Sequence, residues 1–350
     1  MAHDTQDPAH LPVGKLPPAL LEKLLRAAPT EHPDLIVGPG VGLDCAVLDL
    51  GDRLLVCKSD PVTFVTDDLG RYLVRVNAND VATTGAVPRW LLVTLMLPEE
   101  SADAAMAIRI MEQIGEVCRA LGITLIGGHT EVTHGLTHPV AAGTLLGEVA
   151  RERLVTPRGA RSGDRLLLTK GVPIEGTAIL AAEFADRLQS ALTPGELETA
   201  RRFSDDPGIS VVEDARIALS AGRVTAMHDP TEGGVATALW ELARASGRTL
   251  RVTPQAIPVP PLAARVCATL GLDPLATIAS GALLLTVPPE DAARVIEAME
   301  AASIPCADIG EVAGEGARVE GPDGPWPEPA RDALAALFDG RPASLHRPSG

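Results

Sequence analysis

Four aspartates stand in short polar motifs that interrupt an otherwise apolar chain, and carboxylates beside bare backbone amides can hold a hard divalent cation and a phosphate. The motifs are Gly38-Pro39-Gly40-Val41-Gly42-Leu43-Asp44, Ser59-Asp60, Asn79-Asp80 and His228-Asp229-Pro230-Thr231-Glu232-Gly233-Gly234. A fifth, Gly127-Gly128-His129-Thr130-Glu131, lacks an aspartate but pairs two glycines with a histidine. Each falls where a strand or helix pattern breaks off.

Asp80 is the most telling of these residues. Leu69, Tyr72, Leu73 and Val76 recur at helical spacing, and the pattern predicts a helix over 68–85. Asp80 follows Val76 by one turn and so lies within the apolar stripe. A carboxylate there is costly unless backbone amides satisfy it or it binds a metal. Asp60 follows a strand and precedes Pro61, which alone would make it a turn former. Beside Asp44 and Asp80 it becomes a candidate third oxygen ligand. Magnesium takes few protein carboxylates and fills its shell with water and phosphate.

The glycines leave alternatives open. Gly38 to Gly42 lacks the Gly-x-Gly-x-x-Gly spacing of a dinucleotide fingerprint, and a strand-like segment follows it. It is either a flexible loop or one whose amides, at Gly40 and Gly42, approach phosphate. Gly14-Lys15 is followed by Leu16, so no Walker A loop is present. Gly127-Gly128 either turns the chain or admits a ligand to the backbone. His129, His134 and His138 match no zinc spacing and have no thiol nearby, so His129 reads as a substrate or phosphate contact. Asp229 and Pro230 read as the cap and first residue of a helix. Gly233 and Gly234 would each cost that helix about 1 kcal/mol relative to Ala. An anion at the helix N-terminus would account for them, so Gly234→Ala is expected to harm ligand affinity more than stability.

The elements that must position these residues form two series. The first has a helix at 16–28, a hairpin of 44–50 with 53–58 about Gly51-Asp52, helices at 68–85 and 101–121, and strands at 89–97, 123–126 and 139–149. It makes an α+β domain over 1–157. The second, over 158–350, alternates strands at 165–169, 224–227, 248–252, 282–287 and 307–313 with helices at 174–185, 210–221, 231–245, 260–270 and 289–301. A tail helix is expected at 328–338.

Composition narrows the function. The chain has 350 residues, 46% of them hydrophobic, and can bury two cores. A formal charge of −16 with 2% aromatic content argues against nucleic acid, which recruits Lys, Arg and stacking rings. No apolar run reaches the ~18–20 residues of a membrane span, and Met1 to His10 is polar, so no membrane partner and a cytoplasmic location are expected. The five cysteines form no Cys-x-x-Cys pair and read as ordinary buried thiols, dispensable for chemistry.

In this order the motifs resemble the superfamily of aminoimidazole ribonucleotide (AIR) synthetase, hydrogenase-maturation protein HypE, selenophosphate synthetase and thiamine-monophosphate kinase. The resemblance rests on Asn79-Asp80-Val81-Ala82 with Gly85-Ala86 and Pro88, and on His228 to Gly234. It runs from about Leu11 to Leu337, and the pattern is most like HypE-like, AIR synthase-related members. It implies a two-domain, PurM-like α/β (α+β) fold whose N-terminal sheet forms a barrel at a homodimer interface, with a C-terminal α/β domain. It further implies ATP near that interface, Mg2+ held by Asp44, Asp60 and Asp80, and a small-molecule substrate phosphorylated on oxygen. Catalytic roles would fall to Asp80, His129 and Asp229. Nucleotide or substrate contacts would come from Gly40, Gly42, Asn79, Gly127, Gly128, Thr130, Thr231, Gly233 and Gly234.

Three departures qualify the resemblance. HypE carries its carbamoyl group on a C-terminal cysteine, whereas the last cysteine here is Cys306 and the sequence ends Arg347-Pro348-Ser349-Gly350. Selenophosphate synthetase needs a reactive Cys or Sec near its N-terminus, and none precedes Cys45. Position 129 is His where the HypE and thiamine-phosphate kinase patterns place Asp, so one metal ligand is either missing or replaced by Glu131. Two functions therefore compete: an ATP- and Mg2+-dependent phosphoryl-transfer enzyme, and a nucleotide-binding accessory or maturation scaffold without turnover.

Overall fold

The computed structural model describes residues 16, 18–63, 67–326, 328–329 and 332–338. The polar N-terminus, Gly14-Lys15 and the C-terminal Arg347–Gly350 lie outside them.

The first half holds helix α1 (Pro18–Leu25), strands β1 (Leu35–Val37), β2 (Ala46–Asp49) and β3 (Leu54–Val62), helix α2 (Leu69–Thr83), strand β4 (Val87–Pro98), helix α3 (Ala104–Leu121), and strands β5 (Thr124–Thr133) and β6 (Val140–Val149). The strands form one sheet in the order β1-β2-β3-β6-β4-β5. β2 and β3 make the expected hairpin, and α3 supplies the crossover that lets β5 run parallel to β4.

The second half comprises β7 (Arg165–Thr169), α4 (Ile174–Glu183), α5 (Ala185–Leu188), α6 (Pro194–Arg201), α7 (Val212–Ala221), β8 (Ala226–His228), α8 (Gly234–Ser246), β9 (Arg248–Val252), α9 (Pro261–Leu270), β10 (Leu284–Val287), α10 (Pro289–Ala301), β11 (Cys306–Glu315), β12 (Arg318–Gly321), β13 (Gly324–Pro325) and α11 (Ala333–Phe338). Its sheet order is β13-β12-β9-β11-β7-β10-β8. Leu166, Leu167 and Leu168 of β7 and Leu284, Leu285 and Val287 of β10 are all fully buried, as continuous aliphatic runs covered on both faces should be. Among the described residues no helix is long and apolar enough to cross a membrane.

α2 joins the halves. It packs on β3 and β6, against α3, and against α7 of the second half, so it is buried round most of its circumference rather than along one stripe. In one chain the first sheet is open, with β1 and β5 at its edges. The barrel expected from the resemblance would need a second copy.

Two boundaries at the site motifs differ from expectation, and the second half holds a further helix. β5 runs on through Gly127 to Thr133 instead of ending before the glycines, because its ladder to β4 absorbs an irregularity opposite Leu91 and Leu92. α8 begins at Gly234, so Asp229 and Pro230 are not its cap and first residue. α6 was not expected, although Thr193 and Glu196 close a capping box there.

Candidate functional site

Two elements and two loops bring the aspartates together. Asp44 lies in the loop two residues before β2, Asp60 lies near the end of β3, Asp80 is on α2, and Asp229 follows β8. β3 alternates, so Leu54, Val56, Lys58, Asp60 and Val62 share its core-facing side. Asn77 of α2 fixes that strand: the Asp60 N–H donates to Asn77 Oδ1 at 3.1 Å, and Asn77 Nδ2 donates to Leu73 O at 2.9 Å. One helical turn later Asp80 is 2% exposed, and Asp229 is 1% exposed.

Two cations are built into the cluster. Lys58 Nζ stands 3.1 Å from Asp60 Oδ2 and 3.0 Å from Asp80 Oδ2. His228 bridges the halves, with Nδ1 3.2 Å from Asp44 Oδ2 and Nε2 2.8 Å from Glu241 Oε2 of α8. Burial alone would depress the His228 pKa, but Asp44 and Glu241 reverse this and hold the imidazole protonated well above its ordinary range. Lys58 behaves likewise: Asp80, Asp44 and Asp60 outweigh its burial and push its pKa up.

Negative charge is still in excess. Burial first, then the neighbouring Asp229, pushes the Asp80 carboxyl well above the usual range. Burial and then Asp44 push Asp229 up. Both oxygens of Asp229 are buried, and among the described residues their polar neighbour is the Asp80 carboxyl rather than an N–H donor. Ligand atoms of Asp44, His228 and Asp229 all lie within 4.8 Å of one another. Hard oxygen donors, two of them reached by no N–H of the described residues, fit a magnesium ion.

Family models agree with this architecture. The N-terminal domain of AIR synthase related proteins matches residues 42–149, and the C-terminal domain matches residues 161–321. The chain belongs to the AIR synthase related family. It is 33% identical over 243 residues to carbamoyl dehydratase HypE of Azotobacter vinelandii, covering 69% of this chain and 68% of that protein. HypE of Bradyrhizobium diazoefficiens is 31% identical over 283 residues, covering 77% and 78%. A crystal structure of hydrogenase maturation protein HypE in complex with ATP superposes with TM-score 0.65 and 26% identity, over 81% of this chain and 86% of that one.

Other expected site residues of this AIR synthase related protein lie elsewhere or have structural duties. Asn79 is the first correction. Its Nδ2 donates to Ile209 O at 2.7 Å and its Oδ1 accepts the Val211 N–H at 2.8 Å, so both amide atoms tie α2 to the second half, and the fully buried side chain presents no surface to a nucleotide. Gly40 bridges to Leu43 in the turn before Asp44, and Gly42 backs onto the Glu241 carbonyl of α8.

The β5 motif is separated from the carboxylates within one chain. Register places Asp60, Gly143, Val93 and Gly128 in one row across β3, β6, β4 and β5. Three strand spacings put Gly128 about 14 Å from Asp60. His129 is 65% exposed and meets Glu131 at 3.0 Å, not the aspartates. Gly127 and Thr130 are exposed on the same strand. A Cβ on Gly128 would overlap the Val93 carbonyl, so sheet geometry alone demands glycine there.

The second glycine pair also changes meaning. The Gly233 N–H donates to Asp332 Oδ2 at 2.5 Å, so a carboxylate of the chain itself occupies that anion position. Gly234 has a left-handed φ of 64°, and a Cβ there would stand 2.5 Å from Leu275 O and 2.7 Å from Thr277 O. What approaches this backbone is protein, which overturns the expectation for Gly234→Ala. Thr231 uses its carbonyl to accept from Gly234 and Ala279.

Sequence reasoning missed Lys58, His228 and Glu241. Lys58 could have been found from the alternation of β3, where opposite charges sit two residues apart on the core side. The cysteines are poor nucleophiles: Cys45, Cys118 and Cys267 are buried, and burial pushes the Cys306 thiol up to about 12.

Proposed function

We propose that this protein binds ATP and magnesium at the Asp44, Asp60, Asp80 and Asp229 cluster and transfers a phosphoryl group to an oxygen of a small substrate. The observation that carries this is the burial of Asp80 against Asp229, from two halves of the chain, with no N–H donor among the described residues on either Asp229 oxygen. Lys58 offsets part of this charge, and the excess destabilises the fold unless a further counter-ion joins it. Magnesium held there would neutralise charge on the phosphate oxygens during transfer. The protein's own residues do the positioning. His228 and Glu241 hold Asp44, Asn77 holds the backbone of Asp60, and Lys58 pairs with Asp60 and Asp80. Likeness to an ATP-bound HypE supports the nucleotide, and the name carbamoyl dehydratase supports activation of an oxygen. The test is ADP formation from Mg-ATP on addition of fractionated small-metabolite pools. ATP binding with no fraction eliciting ADP would favour the scaffold function instead.

We take the working unit to be a cytoplasmic homodimer, with domains over 1–157 and 158–350. β5 is exposed along nearly its whole length, with Ile126 at 51% and Val132 at 60%, and Ile108 and Met111 of α3 are exposed nearby. An apolar edge strand of ten residues invites pairing. A second copy there would close the sheets into a barrel and cover His129, Gly127, Gly128 and Thr130. Ile126→Glu with Val132→Glu is expected to halve the mass seen in sedimentation equilibrium. An unchanged dimer would place the interface elsewhere.

A further inference from the structure

We propose that Lys58 is a fixed cation of this site: it withholds the facing oxygens of Asp60 and Asp80 from a divalent ion, so that one ion loads, on Asp44 and Asp229 with Asp80 beside them, rather than two. The inference rests on the magnesium reading above and narrows it.

The cluster has two unlike ends. At one, Lys58 Nζ lies at hydrogen-bonding length from Oδ2 of both Asp60 and Asp80, and its side chain is only 10% exposed. The strand behind it is paired on both sides: Cys57, its neighbour, pairs with Ala46 of β2, and Lys58 itself pairs with Leu145 of β6. The ammonium is therefore delivered from a backbone that cannot retreat. A divalent ion bridging the same two oxygens would need to approach them at about 2.1 Å, which brings it against a like charge. At the other end, Asp44, His228 and Asp229 gather their ligand atoms within 4.8 Å, and among the described residues no N–H donor reaches either Asp229 oxygen. The cation at that end, His228, is shared between Asp44 and Glu241, so among the described residues no basic side chain pairs with Asp229. Asp60 is already compensated, whereas Asp229 is not, so the first divalent ion goes to Asp229.

Lys58 thus acts as a positioning and stoichiometry-determining residue. It also presents an ammonium where phosphate oxygens would arrive if ATP bridges the two ends, a point charge of the kind lysine supplies in nucleotide sites.

The test counts Mn2+ bound per chain by electron paramagnetic resonance, in full-length protein saturated with a non-hydrolysable ATP analogue. Wild type is expected to bind one, and Lys58→Met two, because the freed Asp60 and Asp80 oxygens then accept a second ion. Asp229→Asn should weaken the wild-type ion at least tenfold, while Asp60→Asn should leave its affinity within about twofold. Two ions in wild type would overturn the proposal and leave the magnesium reading intact. No bound Mn2+ in wild type would overturn both. One ion in Lys58→Met would show that something other than Lys58 excludes the second. Should Lys58→Met fail to fold, the Asp60→Asn affinity decides: a tenfold loss makes Asp60 a ligand and sinks the proposal.

Discussion

Asp80→Asn is expected to abolish the rise in melting temperature that Mg-ATP gives the wild-type protein, and to lower any ADP formation by on the order of 100-fold or more. The substitution keeps the shape of the side chain and removes its charge. Burial and Asp229 make the Asp80 carboxylate unfavourable, and Asp60 keeps Lys58 paired when Asp80 loses its charge, so the apoprotein should stay folded and melt close to wild type. Ligand binding at about 100 times Kd contributes about 2.7 kcal/mol, so the lost shift is several degrees and easily read. In wild type, EDTA should remove the shift that ATP produces. Equal stabilisation by ATP with and without metal would break the link between these aspartates and the nucleotide. Metal binding also requires ionised carboxylates. Since Asp80 and Asp229 are both raised above the ordinary Asp range, the Mg-ATP shift should fade as pH is lowered through that raised range, before ordinary aspartates protonate.

Asp80 was legible because it contradicts its surroundings: an apolar helical stripe does not hold a carboxylate without a reason. Asp44 and Asp60 became legible by association, since each alone satisfies a turn. Lys58 carried a comparable contradiction on the core side of β3, yet a single lysine near a strand end reads as a solvent position. His228 and Glu241 could not be read in this way. They matter because α8 and the loop before β2 meet, and that contact comes from packing of the two halves, not from any local pattern.

The same packing explains where local rules failed. Asp229 has the residue type of a helix cap and a proline after it, but its carboxylate turns into the cluster, and the helix starts five residues later at Gly234. The Gly127-Gly128 pair looked like a strand end, but the parallel ladder to β4 carries the strand through it. Thr193 to Glu196 spelled a capping box that would have predicted α6. Local chemistry thus found most of the carboxylate cluster, while the identity of its counter-ions waited on tertiary contacts.

Gly234→Ala is expected to cost about 2–5 kcal/mol of stability, and Gly271→Ala provides the measure of why. Both glycines have left-handed backbones, with φ of 64° and 73°. An alanine in that region pays roughly 1–2 kcal/mol wherever it sits. At Gly271, the C-terminal cap of α9, an added Cβ meets nothing within 4 Å, so that backbone term is the whole effect. At Gly234 the Cβ would also press on the carbonyls of Leu275 and Thr277. The Thr277 side chain is itself tied to Asp273 O at 2.7 Å, and its segment packs under α8, so neither carbonyl can withdraw cheaply. Overpacking of this kind adds roughly 1–3 kcal/mol. Denaturant unfolding of both variants, with nucleotide affinity measured beside it, separates the two contributions. The excess of Gly234→Ala over Gly271→Ala is the cost of close approach between α8 and the 275–277 segment. If the two variants lose equal stability while Gly234→Ala alone loses nucleotide affinity, the close neighbour of Gly234 is a ligand and the packing account fails.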